Sequence, residues 1–197
     1  MSVAGGSLRT VTRTQYYTAT SLDGFLADES NSLDWLFEVD GGDAQEGTFA
    51  AFFAQVGAFV MGATTYLWTL EHENLLAEPE KWQGWYGDVP AWVFTHRDLP
   101  AVPGANVTFV SDDVRPVHAS MSATAGGRNI WVVGGGELAG AFADAGLLDE
   151  IVAGVAPVTL GRGAPLLPRR LGASRLRLTG VRQQGQFAQL TYAVGPP

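Results

Sequence analysis

Short apolar runs alternate with segments of helical periodicity along most of the chain. Ala58–Met61, Ala91–Thr95 and Asn129–Val133 are rich in the β-branched and aromatic residues that favour strands. Apolar residues at nearly every position are typical of strands covered on both faces, as in parallel sheets flanked by helices. Because strands that alternate with helices build a sheet through crossover connections, the sequence predicts one α/β sheet that is largely parallel.

The ends of the chain depart from this alternation. Gln15–Ser21 is predicted as a first strand, closed by the turn signal Asp23-Gly24. Leu176–Gln183 and Phe187–Val194 are predicted to form a C-terminal hairpin, which adds an antiparallel edge to the sheet. We expect residues 1–14 to be a flexible leader and residues 15–197 to be one domain, because this length fits one domain better than two.

Two intervening segments are predicted with different clarity. Phe49, Phe52 and Phe53 recur at helical spacing, which predicts a helix over Glu46–Val56 with Gly57 as its C-terminal cap. Glu71–Asp88 is acidic and rich in tryptophan, and it shows no clear period. The sequence therefore predicts no element there.

Composition excludes several classes of protein. Cysteine is absent, which excludes a disulfide-stapled fold, thiolate zinc sites and cysteine nucleophiles. The net charge of −8 argues against binding to nucleic acid, which needs a cationic surface. His72, His96 and His118 lack metal-ligand spacing, and no apolar run is long enough to cross a membrane. We expect a soluble, cytoplasmic protein without a metal site.

The clearest candidate for ligand binding is the triple glycine Gly134, Gly135 and Gly136, which follows a strand and precedes a helix. Backbone without side chains can approach a ligand closely, and a helix start offers unpaired N–H groups and a positive dipole end. The pattern is not the dinucleotide fingerprint GxGxxG. Glycines that only permit tight packing of the strand against the helix remain the alternative.

Two other strand ends carry polar residues that suit a phosphate. Gly62 precedes Thr64 and Thr65, which could cap the following helix or bind a phosphate. Thr95, His96 and Arg97 offer a hydroxyl, an imidazole and a guanidinium, which suit a phosphate monoester such as a 2′-phosphate. An exposed polar turn is the alternative for these three residues.

Four segments in this order match a family pattern. Tyr17–Ala27, Phe59–Tyr66, Trp92–Pro100 and Ile130–Phe142 resemble the cofactor-binding segments of the dihydrofolate reductase-like superfamily. Leu148–Gly163 is similar to one branch, namely the reductase domain of the bifunctional riboflavin-biosynthesis deaminase/reductase and its stand-alone relatives. The resemblance covers about residues 15–194.

The resemblance implies an α/β, three-layer dihydrofolate reductase-like fold, with a mixed, mostly parallel sheet, flanking helices and a C-terminal antiparallel hairpin. It also implies NADPH as cofactor. By position, Ala19 and Leu26 would line the nicotinamide. The phosphates would contact Gly62, Ala63, Thr64 and Thr65. The adenosine end would contact Thr95, His96 and Arg97. The pyrophosphate would lie beside Gly134 and contact Gly135, Gly136, Glu137 and Leu138.

The chain departs from the family pattern at Ala63, where the family usually has an arginine. A cation for the 2′-phosphate must then come from elsewhere, and Arg97 is the obvious candidate. A substrate with a ribose phosphate would need a further cation, for which Arg162, Arg169 and Arg170 are unplaced candidates.

Two acidic residues are candidates for the substrate side. Glu46 lies sixteen residues before Gly62. By the resemblance, this separation aligns Glu46 with the carboxylate by which dihydrofolate reductases bind the pterin. It is the first candidate for substrate recognition and proton relay, with a solvated first-turn glutamate as the alternative. Asp34 is the second candidate, with a helix-capping role as its alternative, and Asp23 is expected to form a turn.

The resemblance therefore implies an NADPH-dependent reductase that transfers hydride to a small heterocyclic or ribosylamino-pyrimidine substrate, of the 5-amino-6-(5-phosphoribosylamino)uracil reductase type. A dihydrofolate or other pteridine reductase is the alternative within the same class. A non-catalytic nucleotide-binding module of the same fold is the alternative from another class. The C-terminal hairpin has apolar residues at alternate positions, so we expect a homodimer.

Overall fold

The computed structural model describes residues 12–40 and 43–197, without the side chains of residues 43–46. The predicted leader lies outside the described residues except for its last three, of which Thr14 begins the first strand. Ten strands and six helices are described in these ranges. The strands are β1 Thr14–Thr20, β2 Phe25–Ala27, β3 Val56–Gly62, β4 Ala91–Phe94, β5 Val107–Val110, β6 Asn129–Gly134, β7 Glu150–Val155, β8 Ala164–Pro165, β9 Leu176–Gln184 and β10 Phe187–Val194. The helices are α1 Asp34–Phe37, α2 Asp43–Phe53, α3 Ala63–His72, α4 Glu80–Tyr86, α5 Val114–Thr124 and α6 Gly136–Asp144.

Eight strands form one sheet in the order β5-β4-β3-β6-β1-β7-β10-β9. The strands from β5 to β7 are parallel to their neighbours, and β10 is antiparallel to both β7 and β9. The short strands β2 and β8 pair with each other apart from this sheet. The predicted mixed, mostly parallel sheet with a C-terminal antiparallel hairpin is confirmed.

Helices cover both faces of the sheet and make three layers. Phe59, Met61 and Trp131 pack beneath α2, α3 and α4 on one face. Tyr16 and Val60 belong to a second buried cluster, which packs against α5 and α6 on the other face. Because β3 is covered on both sides, six of its seven residues are buried, which explains its continuous apolar run.

The structure corrects the sequence predictions at two places. Gly57 lies inside β3 and does not cap α2, which ends at Phe53. A Cβ atom on Gly57 would overlap the backbone of Ala125, so this glycine lets the end of α5 approach the sheet. Helix α4 lies in the segment for which no element was predicted. Its seven residues bury mainly Trp82, and so short a helix shows no readable period.

The hairpin of β9 and β10 leaves β9 at the edge of the sheet. Leu178 and Val181 on β9 are exposed. Homodimerisation through this hairpin stays a prediction. In the described part of the chain, no helix is both long enough and apolar enough to span a bilayer.

Candidate functional site

A cavity of about 1240 Å³ opens at the edge of the sheet where β1, β3 and β6 end. These strands are parallel, so their carboxyl ends meet at one edge, which is where open α/β sheets bind ligands. Residues from all three strand ends line the cavity, as do residues of α1, α2, α3, α4 and α6.

The turns after β3 and β6 lie side by side. Met61 is in register with Gly134, and a Cβ atom built on Gly62 would lie 3.8 Å from the carbonyl oxygen of Gly134. The Gly134–Gly135 peptide bond is cis. A single extended ligand could therefore contact both glycine turns, as the sequence-based hypothesis of a shared ligand requires.

The helices that follow these turns begin without side-chain caps. Gly62 is the N-cap of α3 and Gly135 is the N-cap of α6, and neither helix start has a side-chain acceptor at the cap. Helix α5 differs, since the Asp113 carboxylate accepts a hydrogen bond from the Arg115 amide at 3.0 Å. The first-turn N–H groups of α3 and α6 therefore remain available to a ligand, and they form the positive ends of the two helix dipoles.

Two glycines of the triple glycine differ in their surroundings. A Cβ atom on Gly135 would meet no protein atom within 4 Å, and Gly135 lines the cavity. A Cβ atom on Gly136 would overlap the carbonyl oxygens of Pro165 and Leu166. Gly135 therefore leaves room for a ligand, whereas Gly136 permits close packing against the loop that carries β8.

The other residues that were predicted to contact the phosphates also line the cavity. Ala63, Thr64 and Thr65 do so from the start of α3, and Glu137 and Leu138 do so from the start of α6. Neither threonine caps α3, because the capping position belongs to Gly62. Strand β1 lies on the other side of β6 from β3. Ala19 of β1 lines the cavity there, as does Leu26 of β2, and the resemblance places these two residues at the nicotinamide.

Thr95, His96 and Arg97 do not line the cavity, although Phe94 immediately before them does. The Thr95 hydroxyl accepts a hydrogen bond from the Arg97 amide at 2.9 Å, which closes a local turn. His96 and Arg97 are exposed in this turn. The three residues therefore lie just beyond the part of the cavity that the strand ends enclose.

Arg169 is the only cation among the described residues that line the cavity. Its Nη1 donates to Oε2 of Glu137 at 2.9 Å, and its Nε donates to Oδ2 of Asp144 at 2.7 Å. The Asp144 carboxylate, followed by that of Glu137, raises the pKa of the guanidinium. Glu73 and Asp112 also line the cavity, so the described lining carries more acidic than basic groups.

Of the two carboxylates proposed for the substrate side, the structure describes the side chain of Asp34 alone, and that side chain is not in the cavity lining. Asp34 begins α1 and is exposed, because the buried side of this helix is taken by Trp35, which packs with Val39 and Phe187. Leu33, Trp35 and Leu36 line the cavity, but Asp34 does not. Glu46 lies on α2, and its side chain is outside the described residues.

Asp23 organises a turn, in keeping with the expected role. Its carboxylate accepts hydrogen bonds from the Ser21 hydroxyl at 2.6 Å and from the amides of Leu160 and Gly161. The Ser21 hydrogen bond is the main cause of a lowered pKa at this carboxyl. Asp23 thus ties the end of β1 to the loop after β7.

The sequence reasoning missed two carboxylates in the lining, Glu73 and Asp112, and the aromatic wall beside Glu73. Glu73 lines the cavity, together with Phe49, Phe53, Trp68, Trp85 and Tyr86. Thr65, Trp68, Thr69 and Glu73 are spaced by three, one and four residues, so they share one face of α3, and this spacing was readable from the sequence. The positions of Trp85 and Tyr86 depend on α4, and the sequence of this helix shows no apolar period that would predict it.

Burial perturbs one phenol in this wall. It raises the pKa of Tyr86 to about 12, and the carboxylate of Glu73 adds to the shift. Tyr86 therefore stays protonated at neutral pH. Among the described residues, no group of three or more His, Cys, Asp or Glu side chains could hold a metal ion.

Comparisons with known proteins agree with this architecture. The family model of the RibD C-terminal domain matches residues 14–190. YwjB of Bacillus subtilis, an uncharacterised protein, is 35% identical over 180 residues, which cover 91% of this chain and 97% of YwjB.

Two solved structures extend the comparison to the fold. A Shewanella protein named for a proposed role in riboflavin biosynthesis superposes with a TM-score of 0.75 at 25% identity, covering 93% of this chain and 99% of that one. Dihydrofolate reductase from Enterococcus faecalis, solved with NADP(H), has a TM-score of 0.57 at 14% identity, covering 93% and 96%. The predicted dihydrofolate reductase-like fold is confirmed.

Proposed function

Because the chain belongs to the RibD C-terminal domain family, we propose that it is a nicotinamide-dinucleotide-dependent reductase acting on a small nitrogen heterocycle. The observation that carries the proposal is the pair of uncapped helix starts, α3 and α6, which open side by side into one cavity. Helix N-termini of this kind are binding sites for phosphate groups. The cavity volume of about 1240 Å³ leaves room for a substrate beside a dinucleotide.

The residues present fit such a coenzyme. The space beside Gly135 and the free first-turn N–H groups of α3 and α6 suit the pyrophosphate. Ala19 and Leu26, on the other side of the cavity, would flank the nicotinamide. We propose NADPH over NADH, with Arg97 reaching the 2′-phosphate from just beyond Phe94, since Ala63 offers no charge.

The chain itself contributes alignment and exclusion of water. The bound coenzyme would supply the hydride. The glycine turns would hold its phosphates. The aromatic side chains of α2, α3 and α4 form an apolar wall, on which a flat substrate could be held against the reactive ring. The proton that balances the hydride must come from water or from a carboxyl group, and Glu46 and Glu73 are the candidates.

Reduction of a ribosylamino-pyrimidine is the activity we propose first, because the Shewanella protein is named for riboflavin biosynthesis and matches over nearly its whole length. A dihydrofolate or pteridine reductase is the second proposal, supported by the shared fold with the Enterococcus enzyme. A nucleotide-binding module without catalysis would keep the glycine turns and lack turnover. A cytoplasmic location and a homodimer are parts of the same proposal.

Two measurements, made one after the other, test the proposal. NADPH should raise the melting temperature of the protein, because a ligand that binds only the native state stabilises it. NADPH oxidation is then followed with the ribosylamino-pyrimidine and with dihydrofolate. Binding with turnover of either substrate supports the reductase, binding without turnover supports the module, and no binding at all contradicts the proposal.

A further inference from the structure

One part of the cavity is lined by five aromatic side chains and one carboxylate from α2, α4 and the C-terminal end of α3. We call it the aromatic chamber and define it by Phe49, Phe53, Trp68, Glu73, Trp85 and Tyr86. Helix α3 connects it to the glycine turns, since Thr65 lies beside Gly134 and Glu73 lies eight residues further along the helix. At the helical rise, this separation is about 12 Å. Glu73 is therefore well separated from the glycine turns.

The wall of the chamber presents flat apolar surfaces. Phe49 and Phe53 stack with ring centroids 5.8 Å apart and an interplanar angle of 21°. Phe53 lies 5.7 Å from Tyr86, and Trp85 is 41% exposed. Aromatic faces of this kind bind planar rings by stacking and by edge-to-face contacts. The chamber therefore suits a planar ring.

The charge in the chamber is negative. Glu73 is the only charged side chain among its residues, and it is the C-cap of α3, at the negative end of the helix dipole. The lone lysine of the chain, Lys81, donates to the carbonyl oxygen of Glu73 and pairs with Glu78, and it does not line the cavity. His72 lies beside Glu73 but stacks between Phe37 and Trp68 outside the lining.

The arginines considered for a ribose phosphate do not reach the chamber. Arg169 pairs with Glu137 in the first turn of α6 and with Asp144, the last residue of the same helix, so its guanidinium lies along α6. Arg162 pairs with Glu29 and is not part of the lining, and Arg170 is exposed outside it. A dianionic phosphate placed in the chamber would lose water and meet a carboxylate instead of a cation.

We infer that the substrate is a planar nitrogen heterocycle without a phosphate group, whose N–H donors bind the Glu73 carboxylate. The inference rests on the proposed function and specifies the substrate class of the same site. A carboxylate paired with two N–H donors forms a charge-assisted contact, which recognises amino-substituted rings. The chain would thus differ from a reductase that requires the ribose 5-phosphate.

The test compares one nucleoside with its own phosphate ester. The probes are 5-amino-6-ribosylaminouracil and its 5′-phosphate, titrated into protein saturated with NADP⁺, so that no turnover occurs. Binding is read from the quenching of tryptophan fluorescence, since Trp68 and Trp85 line the chamber. We expect the nucleoside to bind at least about tenfold more tightly than its phosphate, because like charges repel at close range.

Three variants identify the group responsible. Glu73→Gln should weaken nucleoside binding about tenfold and narrow the difference between the two probes. Thr69→Lys, which adds a cation on the same face of α3, should tighten binding of the 5′-phosphate. Glu78→Gln is the matched control, because Glu78 does not line the cavity, and it should leave both affinities unchanged.

The outcomes separate this inference from the proposed function. If the 5′-phosphate binds as tightly as the nucleoside, or more tightly, the inference is overturned. Binding of NADP⁺ in the same experiment would still support the proposed reductase. Failure of both probes to bind NADP⁺-saturated protein also overturns it. Failure of NADP⁺ itself to bind contradicts the proposed function, and the substrate inference falls with it.

Discussion

Arg169 donates a hydrogen bond to Glu137 at 2.9 Å, and both residues line the cavity at the start of α6. Arg169, the one cation in the described lining, is thus already paired with a carboxylate of α6. Glu137 also interacts favourably with the helix dipole at the position where an anionic ligand would do so. The pair therefore sets the electrostatic potential that a pyrophosphate would meet.

Replacing Glu137 by Gln should tighten NADPH binding. The change removes a negative charge from the cavity and releases one partner of Arg169, so we expect the Kd for NADPH to fall by about three- to tenfold. Isothermal titration calorimetry measures this directly. Asp144→Asn is the matched control, since Asp144 also pairs with Arg169 but does not line the cavity, and its effect should be smaller. Weaker binding by Glu137→Gln would show that Glu137 contacts the coenzyme favourably.

Replacing Gly135 by Ala should weaken coenzyme binding without unfolding the protein. The added methyl group meets no protein atom within 4 Å but occupies cavity space, so the Kd for NADPH should rise at least about tenfold. The melting temperature should stay within about 2 °C of the parent protein, because no packing is disturbed.

Gly84→Ala is the control for this substitution. Gly84 lies in α4, does not line the cavity and also has no protein atom within 4 Å of a built Cβ. It should leave NADPH affinity unchanged. If Gly135→Ala binds NADPH as the parent does, the triple glycine has only a packing role.

Coenzyme preference should respond to a cation at position 63. Ala63 lines the cavity directly after Gly62, so Ala63→Arg should raise the affinity for NADPH about tenfold relative to NADH by pairing with the 2′-phosphate. Arg97→Gln should lower the affinity for NADPH and leave that for NADH unchanged. Kd values for both coenzymes, measured side by side, check both expectations. Parallel changes for NADPH and NADH would place the 2′-phosphate away from both residues.

Stability should fall at mildly acidic pH because of His118. Burial lowers the pKa of this imidazole below its ordinary value of 6.5, while the Asp149 carboxylate opposes the shift. Its Nε2 lies 2.8 Å from the Thr14 hydroxyl. Since the unfolded state takes up a proton more readily, the free energy of unfolding is highest above pH 6.5 and decreases as the pH falls through the lowered pKa.

Melting temperatures measured across this range check the prediction. His118→Gln cannot titrate, so its melting temperature should decrease less than that of the parent protein between about pH 7 and pH 5. Above pH 6.5, the ordinary pKa of the imidazole, the melting temperatures of the two proteins should depend on pH in the same way. Identical decreases in both proteins would assign the acid sensitivity to carboxyl groups instead.

The strands and the glycine turns could be predicted from the sequence, because their signals are local. A strand buried on both faces needs apolar residues at successive positions, and β3, β4 and β6 show them in short runs. A turn that leaves backbone open to a ligand needs glycine, and Gly62 and Gly134–Gly136 follow those strands directly. Helix α4 lacked such a signal, since its packing depends chiefly on Trp82.

The composition of the site depended on contacts between distant segments. Arg169 reaches Glu137 across thirty-two residues, and the aromatic chamber joins side chains from α2, α3 and α4. The exposure of Asp34 follows from the burial of Trp35 against Phe187, far along the chain. The sequence by itself thus determined which strands form and where the backbone is open, because those properties are encoded in neighbouring residues. Only the tertiary structure decided which charges and rings face the cavity, because side-chain direction is set by packing between elements that are remote in sequence.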